Sequence, residues 1–224
     1  VGYSVGVVAL LLGSVLYEPS WVPLTLGASV IWLILTGCVL LQIFRLSKVQ
    51  IRPGLLLGLT LLVPGPVALI AIQESLEQGR LLVLLICVVV WSTDTFAYAV
   101  GKRYGSRKLA PSISPSKTLE GTLGGIVGAI VVGTIFFVFA MGNTRIGNIG
   151  FGLWFFIVVS LAVMAVIGDL VESSAKRSAN QKDSGTLVPG HGGVLDRIDS
   201  LLCAAPIFGS WMFLCEKGIT IAVY

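Results

Sequence analysis

The sequence predicts an all-α, polytopic integral membrane protein of about seven transmembrane helices, with a charged site at their cytoplasmic ends. Three observations carry that prediction. First, 55 % of the 224 residues are hydrophobic and only 12 % are charged, where a soluble domain carries about 25 % charge. Mean hydropathy is +0.95. Second, several apolar runs approach or exceed the roughly 20 residues that a helix needs to cross a bilayer. Third, the basic residues fall in alternate connections between those runs.

The expected spans, in order, are 2–16, 22–44, 54–72, 81–100, 122–141, 151–171 and 201–223. The first is short and begins without methionine, so the sequence is expected to start inside a longer protein. A signal peptide is the competing reading, but no basic n-region or small-residue cleavage site supports it. The third span contains Pro64-Gly65-Pro66, which predicts a kink, a break or a re-entrant segment. Residues 1–79 thus form an N-terminal set of spans nearly free of embedded charge. Residues 80–224 form a second region, with long charged loops at 101–121 and 172–200.

Alternation of seven spans puts 45–53, 101–121 and 172–200 on one side. Those connections hold every Lys and Arg except Arg80, Arg145 and Lys217. The positive-inside rule therefore places them in the cytoplasm. The net charge of +4 then describes a basic membrane face suited to anionic headgroups or phosphorylated substrates. Nucleic acid is not expected as a partner, because no separate basic soluble domain exists. The four cysteines lie in apolar spans without metal-ligand spacing and read as packing residues.

Acids inside or at the ends of apolar spans mark the candidate site, because an ionised carboxylate in hydrocarbon needs a polar cavity, a partner or a metal. Asp94 lies in WSTDTFAYAVGKRYG, Asp169 and Glu172 in VIGDLVESSAKR, and Asp196 and Asp199 in LDRID. Asp169, Glu172 and Lys176 share one helical face, and Asp196 and Asp199 repeat the three-residue offset. Two readings remain open at this point: a row of interfacial salt bridges, or convergence on one divalent cation. Oxygen ligands suit Mg²⁺, and no sulfur or multiple-histidine set points to zinc. Lys117 in SPSKTLEG, with Lys176, Arg177 and Lys182, interleaves with the acids as a polyphosphate site requires. SPSKT lacks the glycine spacing of a P-loop; it also reads as a solvated loop ending in a helix cap. The glycines of KDSGTLVPGHGGVLDRID permit backbone N–H groups close to phosphate oxygens, and His191, the only histidine, reads as a phosphate contact or loop-orienting residue.

The run SSAKRSANQKDSGTLVPGHGGVLDRID resembles the C-terminal signature of the phosphatidate cytidylyltransferases, S-x-x-K-R-x-x-x-x-K-D-x-G-x-x-x-P-G-H-G-G-x-x-D-R-x-D. It is met by Ser173, Lys176, Arg177, Lys182, Asp183, Gly185, Pro189, Gly190, His191, Gly192, Gly193, Asp196, Arg197 and Asp199. The likeness extends upstream through SPSKTLEGTLGG and WSTDTFAYAVGKRYG, covering about residues 80–215. It implies transfer of CMP from CTP to phosphatidate, giving CDP-diacylglycerol and diphosphate, with Mg²⁺ and a second, monovalent cation such as K⁺. Position by position, it implies Asp169, Asp196 and Glu172 as metal ligands, and Asp169, Asp196, Lys182, Asp199 and Asp94 as the catalytic set. Lys117, Lys176, Arg177, His191, Glu120, Arg197, Gly192 and Gly193 would bind substrate. It further implies a homodimer with its site facing the cytoplasm; the short, domain-free architecture adds the expectation of a bacterial inner membrane. The rival enzyme reading is a CTP-dependent polyprenol or phytol kinase. The rival from another class is an ion-coupled transporter, which would show inverted repeats and acids near mid-membrane; here the acids sit toward one face and no repeat is visible.

Overall fold

The computed structural model describes residues 21–44, 54–141, 150–181, 184–185 and 193–216. In chain order the elements are α1 (Trp21–Ile43), α2 (Leu55–Leu62), α3 (Pro64–Ser75), α4 (Gly79–Tyr104), β1 (Lys108–Ala110), β2 (Ser114–Thr118), α5 (Leu119–Phe136), α6 (Phe151–Ser178) and α7 (Leu195–Glu216). A π-helical turn, Phe137–Met141, extends α5. Five of these helices, α1, α4, α5 with its extension, α6 and α7, are long and apolar enough to cross a membrane. The first expected span lies outside the described residues.

The third expected span is not one helix. It is α2 and α3, joined at Val63. Pro64 has no N–H to continue α2, but its fixed φ suits the first position of a new helix. Gly65 then lets α3 lie against α7: a Cβ at this position would stand 2.9 Å from the Leu202 Cα. A tight turn returns the chain from α3 into α4 through Gln78, which adopts the left-handed region at φ 60°. A Cβ on the next residue, Gly79, would come within 2.5 Å of the Gln73 carbonyl oxygen.

Two expectations about the loops are corrected. The stretch 101–121 is not an extended loop in an all-α chain. Residues 101–104 complete α4, and an irregular antiparallel hairpin follows, pairing Lys108 with Thr118 and Ala110 with Ser114. The stretch 172–200 is likewise shortened from both ends, because α6 continues to Ser178 and α7 starts at Leu195 rather than Leu201. The reason is common to both. Charged residues end a hydropathy run, but they do not end a helix, and Lys and Arg in a last turn favour the helix C-terminus.

α7 is the central helix. It packs on α6, α3 and α1, and 67 % of its apolar window is buried against 22 % for α5. One core gathers Ile72, Leu82, Leu85, Trp154, Leu161 and Phe208 from α3, α4, α6 and α7. A second gathers Trp32, Val39, Leu170 and Cys203 around Ala110 and Ile113, which seats the hairpin on the helices. Between α1 and α7 the Ser29 hydroxyl lies 2.7 Å from the Ser210 hydroxyl and 3.0 Å from the Pro206 carbonyl. Such interhelical polar contacts are how apolar helices register against each other in lipid.

The most extensive helix pair is α4 with α5. Along GTLGGIVG, glycines take the inner face of α5: a Cβ on Gly121 would stand 2.8 Å from the Ala97 carbonyl oxygen, and one on Gly125 2.6 Å from that of Thr93. The two backbones are therefore nearly in contact. This close approach sets Asp94, on α4, opposite Lys117 at the entry to α5.

Candidate active site

Where α4 and α6 run out and α5 and α7 begin, the helices enclose a cavity of about 840 Å³. Asp94, Lys117, Asp169, Lys176, Asp196, Arg197 and Asp199 all line it. Four carboxylates and three cations from three helices and the hairpin thus share one space.

Each acid is held by its local structure. Asp169, on α6, pairs through Oδ2 with Lys117 Nζ at 2.7 Å. Its Oδ1 accepts from the Ser173 hydroxyl one turn later, at 3.1 Å. Glu172 lies on the same face and is buried; it meets the Lys176 ammonium, while its Oε1 has no hydrogen-bond partner among the described residues. Lys176 also reaches Asp196 Oδ1 at 2.5 Å, so a single ammonium joins carboxylates of α6 and α7. Asp196 reaches back from the first turn of α7 as the acid of a capping box does. Its Oδ2 accepts from Gly193 N at 2.7 Å, Ser184 N at 3.0 Å and Ser184 Oγ at 2.8 Å. Asp199 accepts from the Ser200 N–H at 2.7 Å and lies in the field of Asp169, Glu172 and Lys117. Asp94 lies in the field of Lys117 and Asp169.

The profile of the cytidylyltransferase family matches residues 2–215. The chain belongs to that family. Among named relatives, the phosphatidate cytidylyltransferase of Rickettsia prowazekii is 42 % identical over 157 residues, covering 69 % of this chain and 68 % of that protein. That of Haemophilus influenzae is 39 % identical over 136 residues, 61 % of this chain and 47 % of the relative. That of Bacillus subtilis is 40 % identical over 137 residues, 61 % of this chain and 49 % of the relative. The matched stretch thus spans about half the length of the last two.

Within this family member the expected site residues separate into three groups. Asp94, Lys117, Asp169, Lys176, Asp196, Arg197 and Asp199 line the cavity; Glu172 and Gly193 touch it through Lys176 and Asp196. Glu120 and Arg177 are turned to other work. The Glu120 carboxylate accepts from the Ser106 hydroxyl at 2.7 Å and from the N–H groups of Ser106 and Arg107, which fixes the turn after α4. Arg177 reaches the carbonyls of Ile113 and Gln181, which ties the hairpin to the end of α6. Lys182, His191 and Gly192 lie outside the described residues.

Residues that the sequence reading passed over also build the site. Ser184 supplies two donors to Asp196. Thr118 closes the hairpin and caps α5, its Oγ1 accepting from Gly121 N at 3.1 Å. Trp91, Thr95 and Tyr98 form one wall of the cavity. The glycine spacing of α5 was the available signal for its contact with α4 at Thr93 and Ala97, since small residues four apart mark close helix contacts in membranes.

Among the described residues no three acidic, histidine or cysteine side chains are gathered as a ready metal cage; Lys176 stands between Glu172 and Asp196, and Lys117 against Asp169. The donor chemistry nevertheless fits a hard divalent cation. The cavity offers carboxylate oxygens without thiolate or imidazole among its described lining residues, and a buried carboxylate oxygen on Glu172 is left without a hydrogen bond.

Proposed function

We propose that this chain transfers CMP from CTP to phosphatidate, giving CDP-diacylglycerol and diphosphate. The observation that carries this reading is the convergence of Asp94, Asp169, Asp196 and Asp199 with Lys117 and Lys176 in one cavity at the helix ends, in a chain whose relatives are named phosphatidate cytidylyltransferases. A lipid substrate keeps its acyl chains in the bilayer while a nucleotide arrives from water, so the reacting groups belong at such a boundary.

In the proposed reaction a phosphate oxygen of phosphatidate forms a bond to the α-phosphorus of CTP. The bond from that phosphorus to the bridging oxygen of the β-phosphate breaks, and diphosphate leaves with the electron pair. The nucleophile is already ionised near neutral pH, so no general base is required. Lys117 and Lys176, with Arg197, would hold phosphate oxygens; Asp94 and Asp199 would keep those cations aligned. In-line placement and charge neutralisation would supply most of the acceleration. Asp169, Asp196 and Glu172 would hold Mg²⁺, which when bound neutralises the triphosphate and its leaving group. A monovalent cation such as K⁺ would share the acidic cluster.

The remaining features of the proposal are seven spans in all, a bacterial inner-membrane location, a homodimer, and a cavity that opens to the cytoplasm. Lys102, Arg103, Arg107 and Lys108 lie at the cavity's end of α4, which supports the last of these by the positive-inside rule. The deciding experiment gives detergent-purified protein phosphatidate, Mg²⁺ and CTP labelled at either the α- or the γ-phosphorus. Label from the α-position in the lipid product is expected. Label from the γ-position alone would make the protein a lipid kinase.

A further inference from the structure

At the edge of the cavity, one face of α4 carries a stripe that the proposed chemistry leaves unused. Trp91, Thr95, Tyr98 and Lys102 follow at intervals of four, three and four residues, so they line up along about 16 Å of helix surface. Trp91 is 58 % exposed and Tyr98 69 %; Thr95 and Lys102 are exposed as well. Yet Trp91, Thr95 and Tyr98 also belong to the cavity wall. The stripe is therefore the lip between cavity and surroundings, apolar at Trp91 and cationic at Lys102.

The cationic end is organised differently from the cavity. Lys102 Nζ lies 5.6 Å from the centre of the Tyr98 ring and 3.5 Å from its hydroxyl. Arg103 lies 5.6 Å from the ring of Tyr104 and donates from Nε to its hydroxyl at 3.1 Å. Among the described residues no carboxylate pairs with Lys102 or Arg103. The nearby acid, Glu120, is taken up by Ser106 and the Arg107 N–H. Tyr98 and Tyr104 steady the two cations without neutralising them, and tyrosines at a helix end belong at headgroup depth, with Trp91 about 16 Å deeper along the helix than Lys102.

We propose that Lys102 and Arg103, braced by Tyr98 and Tyr104, form a headgroup site for a lipid phosphomonoester at the lip of the cavity. The site gathers the lipid substrate before it enters, with the acyl chains beside Trp91. Charge complementarity selects the ligand: two uncompensated cations at the interface suit a headgroup that carries more than one negative charge. A phosphodiester lipid carries one, and a zwitterionic lipid none. The identity of that lipid as phosphatidate rests on the reaction proposed above, but the site itself is defined by binding.

The test measures lipid retention and kinetics separately. Native mass spectrometry of the detergent-purified chain, loaded with equal phosphatidate, phosphatidylglycerol and phosphatidylcholine, should show phosphatidate retained preferentially. Lys102→Ala with Arg103→Ala should remove that preference, and Lys102→Glu alone should do the same. In mixed micelles each cation removed should raise the apparent KM for phosphatidate about fivefold and leave the KM for CTP unchanged. Equal retention of phosphatidate and phosphatidylglycerol by the unaltered chain, or an unaltered preference in the variants, would overturn the site. Displacement of the lipid by millimolar inorganic phosphate would overturn it too, in favour of a free-anion site. Preferential retention without any CDP-lipid product would sink the reaction and spare the headgroup site.

Discussion

Two groups of cations, one inside the cavity and one on its lip, differ in the partners that hold them. In the cavity, Lys117 and Lys176 are matched to Asp169, Glu172 and Asp196. On the lip, Lys102 and Arg103 rest on tyrosine rings with no acid partner among the described residues. The matched set is three-quarters or more buried as side chains, except Asp169, and there a charge needs its counter-charge because water is scarce. The lip is exposed, so its cations can remain uncompensated and available to an incoming anion. The same kind of charge is thus held by acids in one place and left open in the other.

That contrast can be broken most severely from the cavity side. Asp169→Asn should lower CDP-lipid formation about 100-fold or more while the protein still inserts in the membrane. Product assay on membranes of matched protein content checks this, and activity within a few-fold of normal would remove Asp169 from the site. Lys176→Met should cost about 3 kcal/mol of stability, because it leaves Glu172 and Asp196 facing each other. Thermal unfolding in detergent measures the loss, and adding Glu172→Gln should recover part of it. The equivalent change on the lip, Lys102→Met, should leave the unfolding midpoint where it was.

The packing that holds the lip to the cavity gives a smaller effect. Gly125→Val puts a branched side chain against the Thr93 carbonyl and should cost about 1–3 kcal/mol, with a loss of activity as Asp94 and Lys117 move apart. A variant with unchanged unfolding and kinetics would show that the α4–α5 spacing does not position the site. Smallest of all, Ser184→Ala removes one hydroxyl donor from Asp196 and should cost about 1 kcal/mol. Because the Ser184 and Gly193 N–H groups remain, turnover should fall only a few-fold.

Much of the site was legible as pattern. The offsets of Asp169, Glu172 and Lys176 placed them on one face, and Lys176 does meet Glu172. Asp196 was legible as a helix-entry acid, but its partner Ser184 was not, since a loop contact across twelve residues has no periodicity. Glu120 shows the opposite failure. The resemblance alone put it among the substrate-binding residues; in the structure two backbone N–H groups and a hydroxyl in the turn after α4 bind it. Local donors compete for a carboxylate, and sequence proximity does not show which of them win.

The sequence by itself determined that the chain is a set of apolar helices, that Pro64-Gly65-Pro66 disturbs one expected span, and that the acids and lysines cluster after residue 80. It determined these because hydropathy, proline geometry and charge are properties of the residues alone. The tertiary structure decided which faces meet, which lysine pairs with which acid, and that α4 borders the cavity while exposing its aromatic stripe. Lipid is as apolar as a helix interface, so a membrane helix carries little mark in its hydropathy of which side is covered. Only packing makes that choice.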